Sequence, residues 1–287
     1  MNAGSARLRL ATAAVLFSTG GAAIKAARFD AWQIAGFRSG IAALTLLVCL
    51  PAARRGWSWR AAVVGAAYAA TLVLFVLANR LTTAANTIFL QSTAPLYLLL
   101  LGPWLLHEPV RRRDALTMAA VGTGLLLFFV GTEQPAATAP DPARGNILAT
   151  LSGVCWALTL VGLRWMGRSA ADGGLNAVAI GNLFAFAACL PLALPLGPHA
   201  PADWGTIIYL GVVQIGLAYV LVTRALTALS VFEASLILLL EPALNPVIAW
   251  LVHGETPGGW ALAGGVLILT ATTLKAWADT RLDPVPP

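Results

Sequence analysis

Residues 231–257 read VFEASLILLLEPALNPVIAWLVHGETP. An apolar run long enough to cross a bilayer is interrupted near its middle by Glu241-Pro242 and closed by Glu255. Proline inside a helix removes an amide donor and clashes with the preceding turn. A carboxylate in hydrocarbon costs several kcal/mol unless it faces a cavity or a partner. The run therefore predicts a membrane-spanning helix that is broken where its only interior charge stands. The same design appears earlier, in residues 84–109, AANTIFLQSTAPLYLLLLGPWLLHEP, with Pro95 inside and Glu108 at the end. Pro95 to Glu108 and Pro242 to Glu255 are each thirteen residues apart, about 20 Å along a helix. A single such spacing is weak evidence; its recurrence suggests a duplicated half.

Working outward, the polar breaks divide the chain into ten apolar stretches at 7–25, 32–51, 60–79, 84–106, 113–131, 144–166, 175–196, 204–223, 231–252 and 259–277. Each is close to the roughly 20 residues a helix needs to cross the hydrocarbon. The runs are continuous and twice the length of a barrel strand, which excludes a β-barrel. The long proline- and alanine-rich connection from Thr132 to Arg144 marks the boundary between halves. The expected organisation is a first five-helix repeat over 1–132, a loop over 133–143, and a second five-helix repeat over 144–287. Aligning Phe17 with Trp156 sets Lys25 on Arg164, so a basic residue ends the first helix of each half. Five spans per half place the second half in the membrane upside down, the inverted-topology architecture of many secondary transporters.

Composition agrees. Of 287 residues, 59% are hydrophobic and 10% charged, against about 25% charged in soluble domains, and the mean hydropathy is +0.79. The formal charge of +6 is scattered through short breaks and forms no basic stripe, so no nucleic-acid partner is expected. With the N-terminus inside, alternation through ten spans puts thirteen basic residues inside and four outside, with Arg38 inside the second span. That bias is the one cytoplasmic loops carry, so both termini are expected to be cytoplasmic. Arg7 and Arg9 ahead of Leu10–Ala23 imitate a secretory signal, but the repeat gives this stretch a partner in the second half, which makes it an uncleaved first helix. Cys49, Cys155 and Cys189 lie apart in apolar runs and match no metal spacing. No zinc-protease, nucleophile-elbow or phosphate-loop motif is present, so an enzyme, a cofactor and a bound metal are not expected. A channel would want a filter segment or a ring of charge, and neither stands out.

The two halves resemble the paired EamA domains of the drug/metabolite transporter superfamily. The resemblance rests on the Arg38 helix from Trp32 to Leu47, the Pro95–Glu108 block, Trp156, and Leu240-Glu241-Pro242 to Glu255 with Gly264-Gly265 behind it. It covers about residues 7–277 and is greatest to bacterial exporters of the YddG type. It implies an all-α inner-membrane protein of ten helices in two inverted repeats, exporting small molecules by alternating access. It also implies a central cavity lined mainly by the third, fourth, eighth and ninth spans, with the first and sixth.

Glu241 is the residue of greatest interest. It either binds a substrate amine or titrates in the transport cycle, or it is a neutral carboxyl that plugs the break made by Pro242. Arg38 either pairs with a substrate carboxylate or holds a neighbouring helix, with Gly36 and Gly40 allowing close approach. The other cavity candidates are Tyr68, Asn86, Gln91, Tyr97, Trp156, Gln214, Tyr219 and Asn245. Amides and phenols hold zwitterions without a permanent buried charge, and aromatic faces suit apolar or cationic groups. For each one, interhelical bonding is an equal reading. Pro95 and Pro242 mark helix breaks. Lys25 with Glu255 at the outer surface, and Arg164 with Glu108 at the inner, are candidate gate salt bridges exchanged by the pseudo-two-fold axis. The expected cargo is neutral, aromatic or hydrophobic amino acids, with cationic drugs or other metabolites as the alternative. The expected surroundings are lipid and a small-molecule substrate, and a monomer suffices for this design.

Overall fold

The computed structural model describes residues 3–105, 112–130, 134–166, 174–226, 228–229 and 231–282. Nearly all of them are helical, and the one β feature among them is a bridge between Ala136 and Ala139. Seven stretches are long and apolar enough to cross a membrane: Ala31–Cys49, Trp59–Leu81, Ala84–Leu101, Pro142–Trp165, Leu175–Ala193, Pro201–Leu226 and Gly259–Ala278. In each, between 28% and 56% of the apolar window is buried in the protein. The remaining apolar surface needs a non-aqueous solvent, which is what a multi-pass membrane protein has in lipid.

Several helices begin where the sequence supplies a cap. Helix α3 (Ala31–Cys49) follows Asp30, whose carboxylate accepts from the amides of Trp32 and Gln33 while Gln33 accepts from Asp30 N in return. Ser58 caps α4 (Trp59–Leu81), Thr83 caps α5 (Ala84–Gln91) and Asp141 caps α8 (Pro142–Trp165). Each side chain satisfies an amide that the first helical turn leaves unpaired.

The three other expected spans are shorter or interrupted. The first is α1 (Ala3–Ser18) and α2 (Gly20–Ala26), parted at Thr19. The fifth is α7 (Arg112–Val130), apolar only from Asp114. The ninth is α12 (Val231–Leu238) and α13 (Leu240–His253), parted at Leu239, two residues before Glu241; Gly254 ends α13 with φ of 65°. The fourth span is likewise divided, between α5 and α6 (Ala94–Leu105). After α9 (Leu175–Ala193), the eighth runs through α10 (Pro201–Ile208), a π-helical stretch Tyr209–Leu217 and α11 (Ala218–Leu226). The wider π turn opposes the α1–α2 break: Tyr209 Oη lies 2.7 Å from Thr19 Oγ1, and Gln214 packs on Gly20. Helix α14 (Gly259–Leu282) completes the order.

Packing joins the two halves of the chain. Helix α4 lies against α8 and α9, α3 against α9 and the π stretch, α1 against α11 and α13, and α7 against α14. Small residues permit the closest crossings. A Cβ on Gly264 would sit 2.6 Å from Gly124 O, and one on Gly181 would sit 2.7 Å from Gly65 O. Gly265 is likewise covered by Phe89, whereas Gly122 has nothing within 4 Å of its missing Cβ.

Candidate transport site

Two phenols meet across the interior. Tyr68 on α4 and Tyr219 on α11 share a hydrogen bond of 2.9 Å between their hydroxyls. Each ring is flanked by an aromatic from a third helix. Phe17 of α1 meets Tyr219 edge-on at 5.6 Å, and Trp156 of α8 meets Tyr68 at 6.1 Å. Glu241, half-buried at the start of α13, is within electrostatic reach of both phenols. Arg38 of α3 is within electrostatic reach of Tyr68 as well. Four of the sequence candidates, Tyr68, Trp156, Tyr219 and Glu241, therefore share one centre. An aromatic box with a single acid beside it can hold an apolar or aromatic side chain together with a positively charged group.

The remaining candidates are distributed around this centre. Gln91 donates to Ser152 Oγ at 2.8 Å, and Ser152 donates to Thr71 O, tying α5, α8 and α4 together. Asn86 bonds to Thr82 Oγ1 and to Asn146 Oδ1 within a buried polar knot, which Asn146 Nδ2 anchors on Phe128 O. Tyr97 accepts a long bond from Thr93 at 3.4 Å. Gln214 donates to Phe17 O at 3.4 Å, across the helix break. Asn245 is buried against Gly21 with both amide atoms unpartnered. Pro95 lies in the first turn of α6, and Pro242 is buried in the first turn of α13; neither sits mid-helix, because α5 and α12 have ended just before them. Residues at the centre that the sequence did not single out as candidates include Phe17 and Asn182. An aromatic among apolar residues carries no contrast, although the alignment of Phe17 with Trp156 pointed to it.

The end of α2 carries a buried ion pair to the segment that follows α13. Lys25 Nζ lies 3.0 Å from Glu255 Oε1, with side-chain exposures of 4% and 3%. The contact is a Coulombic pair whose alignment falls short of a hydrogen bond. Lys25 also donates to Thr82 O at 2.8 Å and to Thr138 O at 2.5 Å, so partners surround the ammonium. Glu255 Oε2 accepts from Ala84 N at 2.7 Å. Arg80 reaches the last carbonyls of α2, and His253 Nε2 lies 2.8 Å from Ala22 O. At the opposite end of α1, Arg7 pairs with Glu233 at 2.5 Å in a far more exposed setting, 59% and 32%. Arg164 stands in the last turn of α8, while Glu108, its expected partner, lies outside the described residues.

The model of the EamA-like transporter family matches this chain twice, over residues 5–130 and 143–276. The chain belongs to the EamA-like transporter family. It is a membrane transporter domain and not an enzyme. Among solved structures, this EamA-like chain superposes on one crystal structure with a TM-score of 0.62 at 18% identity, covering 98% of this chain and 99% of the other. That likeness speaks to the fold alone. No curated protein sequence matches it.

Proposed function

We propose that this EamA-like protein is a ten-span, inverted-repeat secondary transporter of the bacterial inner membrane, with both termini cytoplasmic. On this reading it exports neutral, aromatic or hydrophobic amino acids, as YddG-type exporters do, by alternating access between the two halves. Counting α1–α2, α5–α6 and α12–α13 as single broken spans, with α7 beside them, gives ten. The observation that carries the proposal is the quartet around the phenol bridge. Phe17 and Trp156, which the sequence alignment of the halves pairs, each rest on one tyrosine of the Tyr68–Tyr219 pair. A contact of this kind near an axis relating the halves breaks when they rock apart and re-forms when they close.

The Lys25–Glu255 pair supports the outer half of the cycle. With the N-terminus inside, this pair lies at the outer surface and closes it. Removing one member of a buried ion pair costs about 3–5 kcal/mol, because the other is left uncompensated. Opening exchanges the protein partners of Lys25 for water, so the barrier is finite and the closed state well defined. The inner counterpart proposed for Arg164 and Glu108 follows from symmetry. Cationic drugs are the second reading, favoured by Glu241, an acid within electrostatic reach of both tyrosines of the quartet.

The test is uptake into proteoliposomes holding the purified protein, with a panel of labelled amino acids and one lipophilic cation. Saturable transport of neutral amino acids, competed by aromatic ones, is the expected outcome. Flux of the cation alone replaces amino-acid export with drug efflux, and no flux of either class overturns the substrate reading.

A further inference from the structure

Arg38 poses a problem that the proposed site does not solve. It stands in the middle of α3 and is 2% exposed. Its one hydrogen bond is a long contact from an Nη atom to Leu72 O at 3.4 Å, and Nε has no partner. Among the described residues, no carboxylate is paired with it. A guanidinium carries five donors and holds its charge in proteins. Kept from water without an anion, it is a substantial cost to the fold, and such a charge inside a membrane protein marks a functional position. On α3 and on α9, which packs against it, Ser39 Oγ and Asn182 Oδ1 are also buried without partners. The member of the aromatic quartet within electrostatic reach of Arg38 is Tyr68, whose hydroxyl is bonded to Tyr219.

We propose that Arg38 is the specificity residue for the substrate's carboxylate, reached when the Tyr68–Tyr219 bridge opens. This inference rests on the amino-acid transport proposed above and deepens it. Glu241 and Arg38 then offer one charge of each sign within reach of Tyr68. A zwitterion entering between them meets an acid at its ammonium and a planar fork of donors at its carboxylate. The fork suits a carboxylate in two-point contact, which an ammonium cannot offer. The consequence for selection is that a free carboxylate is required. An amino-acid amide, or the amine left by decarboxylation, keeps the side chain and the positive group but leaves Arg38 unanswered.

The experiment compares phenylalanine, phenylalaninamide and phenethylamine as competitors of labelled phenylalanine uptake in proteoliposomes. For the unaltered protein, the two analogues are expected to compete roughly 10- to 100-fold more weakly, the range of one charged hydrogen-bond contact. Arg38→Lys keeps the charge without the fork and is expected to raise KM for phenylalanine with little change in maximal rate. Arg38→Gln is expected to narrow the gap between phenylalanine and its amide. Monodispersity in detergent and unchanged thermal unfolding show that each variant is folded; where Arg38→Gln fails this check, the competitor series and Arg38→Lys decide. Equal competition by all three compounds overturns the role of Arg38 while leaving amino-acid transport intact. The same follows if folded Arg38→Lys shows unaltered KM and selectivity. Absence of phenylalanine uptake by the unaltered protein overturns the transport proposal itself, and the carboxylate role with it.

Discussion

At the scale of single residues, Glu241 shows how much a sequence can say about chemistry in a membrane. A charge inside an apolar run has no bland surface to occupy, so its position alone marks it. The structure places it half-buried, beside two phenols. Glu241→Gln keeps shape and hydrogen bonding while removing the negative charge. Initial uptake is expected to fall by roughly 10- to 100-fold, the range of a lost charged interaction, with expression unchanged. Normal uptake by a well-expressed variant would reduce Glu241 to a plug at the helix break. The amides were harder to read. Asn86 and Gln91 have the same polarity as true ligands, and only the fold reveals that Asn146, Thr82 and Ser152 take up their donors. Polarity is a property of the residue; availability is a property of its neighbours.

At the scale of elements, the apolar runs were legible because hydrocarbon thickness fixes their length. Helix breaks were legible only in part. Proline marked the regions near α6 and α13, yet the chain divides just before each proline, where the ring is harmless in a first turn. The break at Thr19 and the π-helical stretch opposite it have no proline to announce them. They depend on Gly20 and Gly21 admitting Gln214 and Asn245, a fit that appears only once two distant segments meet. The crossing of α7 on α14 makes a direct prediction. Gly264→Val drives carbon into Gly124 O and Phe128, which stand 2.6 and 2.7 Å from the missing Cβ. Overpacking of this kind costs about 1–3 kcal/mol, so a clear drop in the thermal midpoint in detergent is expected. Gly122→Ala, with open space around it, serves as the control and should match the unaltered protein or exceed it. Equal midpoints for both variants would mean that the crossing is not close-packed in the membrane-derived protein.

At the scale of the whole molecule, the expected repeat would put Lys25 and Glu255 at one surface, and the structure sets them 3.0 Å apart. Their proposed role as a gate has its own test. Lys25→Glu and Glu255→Lys are each expected to cut transport severely, since each buries two like charges. The double reversal is expected to recover at least part of the rate. Failure of the double variant to exceed either single one would leave the pair as two anchors rather than a gate. What the sequence did not disclose is the third party. The carbonyl of Thr138, in the connection between the halves, also bonds Lys25. A backbone oxygen has no sequence signature, so no motif foretold it.

That carbonyl has a thermodynamic consequence. On the proposed inverted-repeat reading, two identical halves would interconvert between end states of equal free energy. A single covalent connection can lie on only one side of the membrane, and here its Thr138 carbonyl adds an acceptor at the Lys25 end. A hydrogen bond to a charged group contributes about 1.5–3 kcal/mol, enough to favour one end state by roughly ten- to a hundredfold before any cargo binds. On the alternating-access reading proposed above, the connection between the halves would act as ballast: it would set where an empty carrier rests, and therefore which compartment it faces when the next substrate arrives.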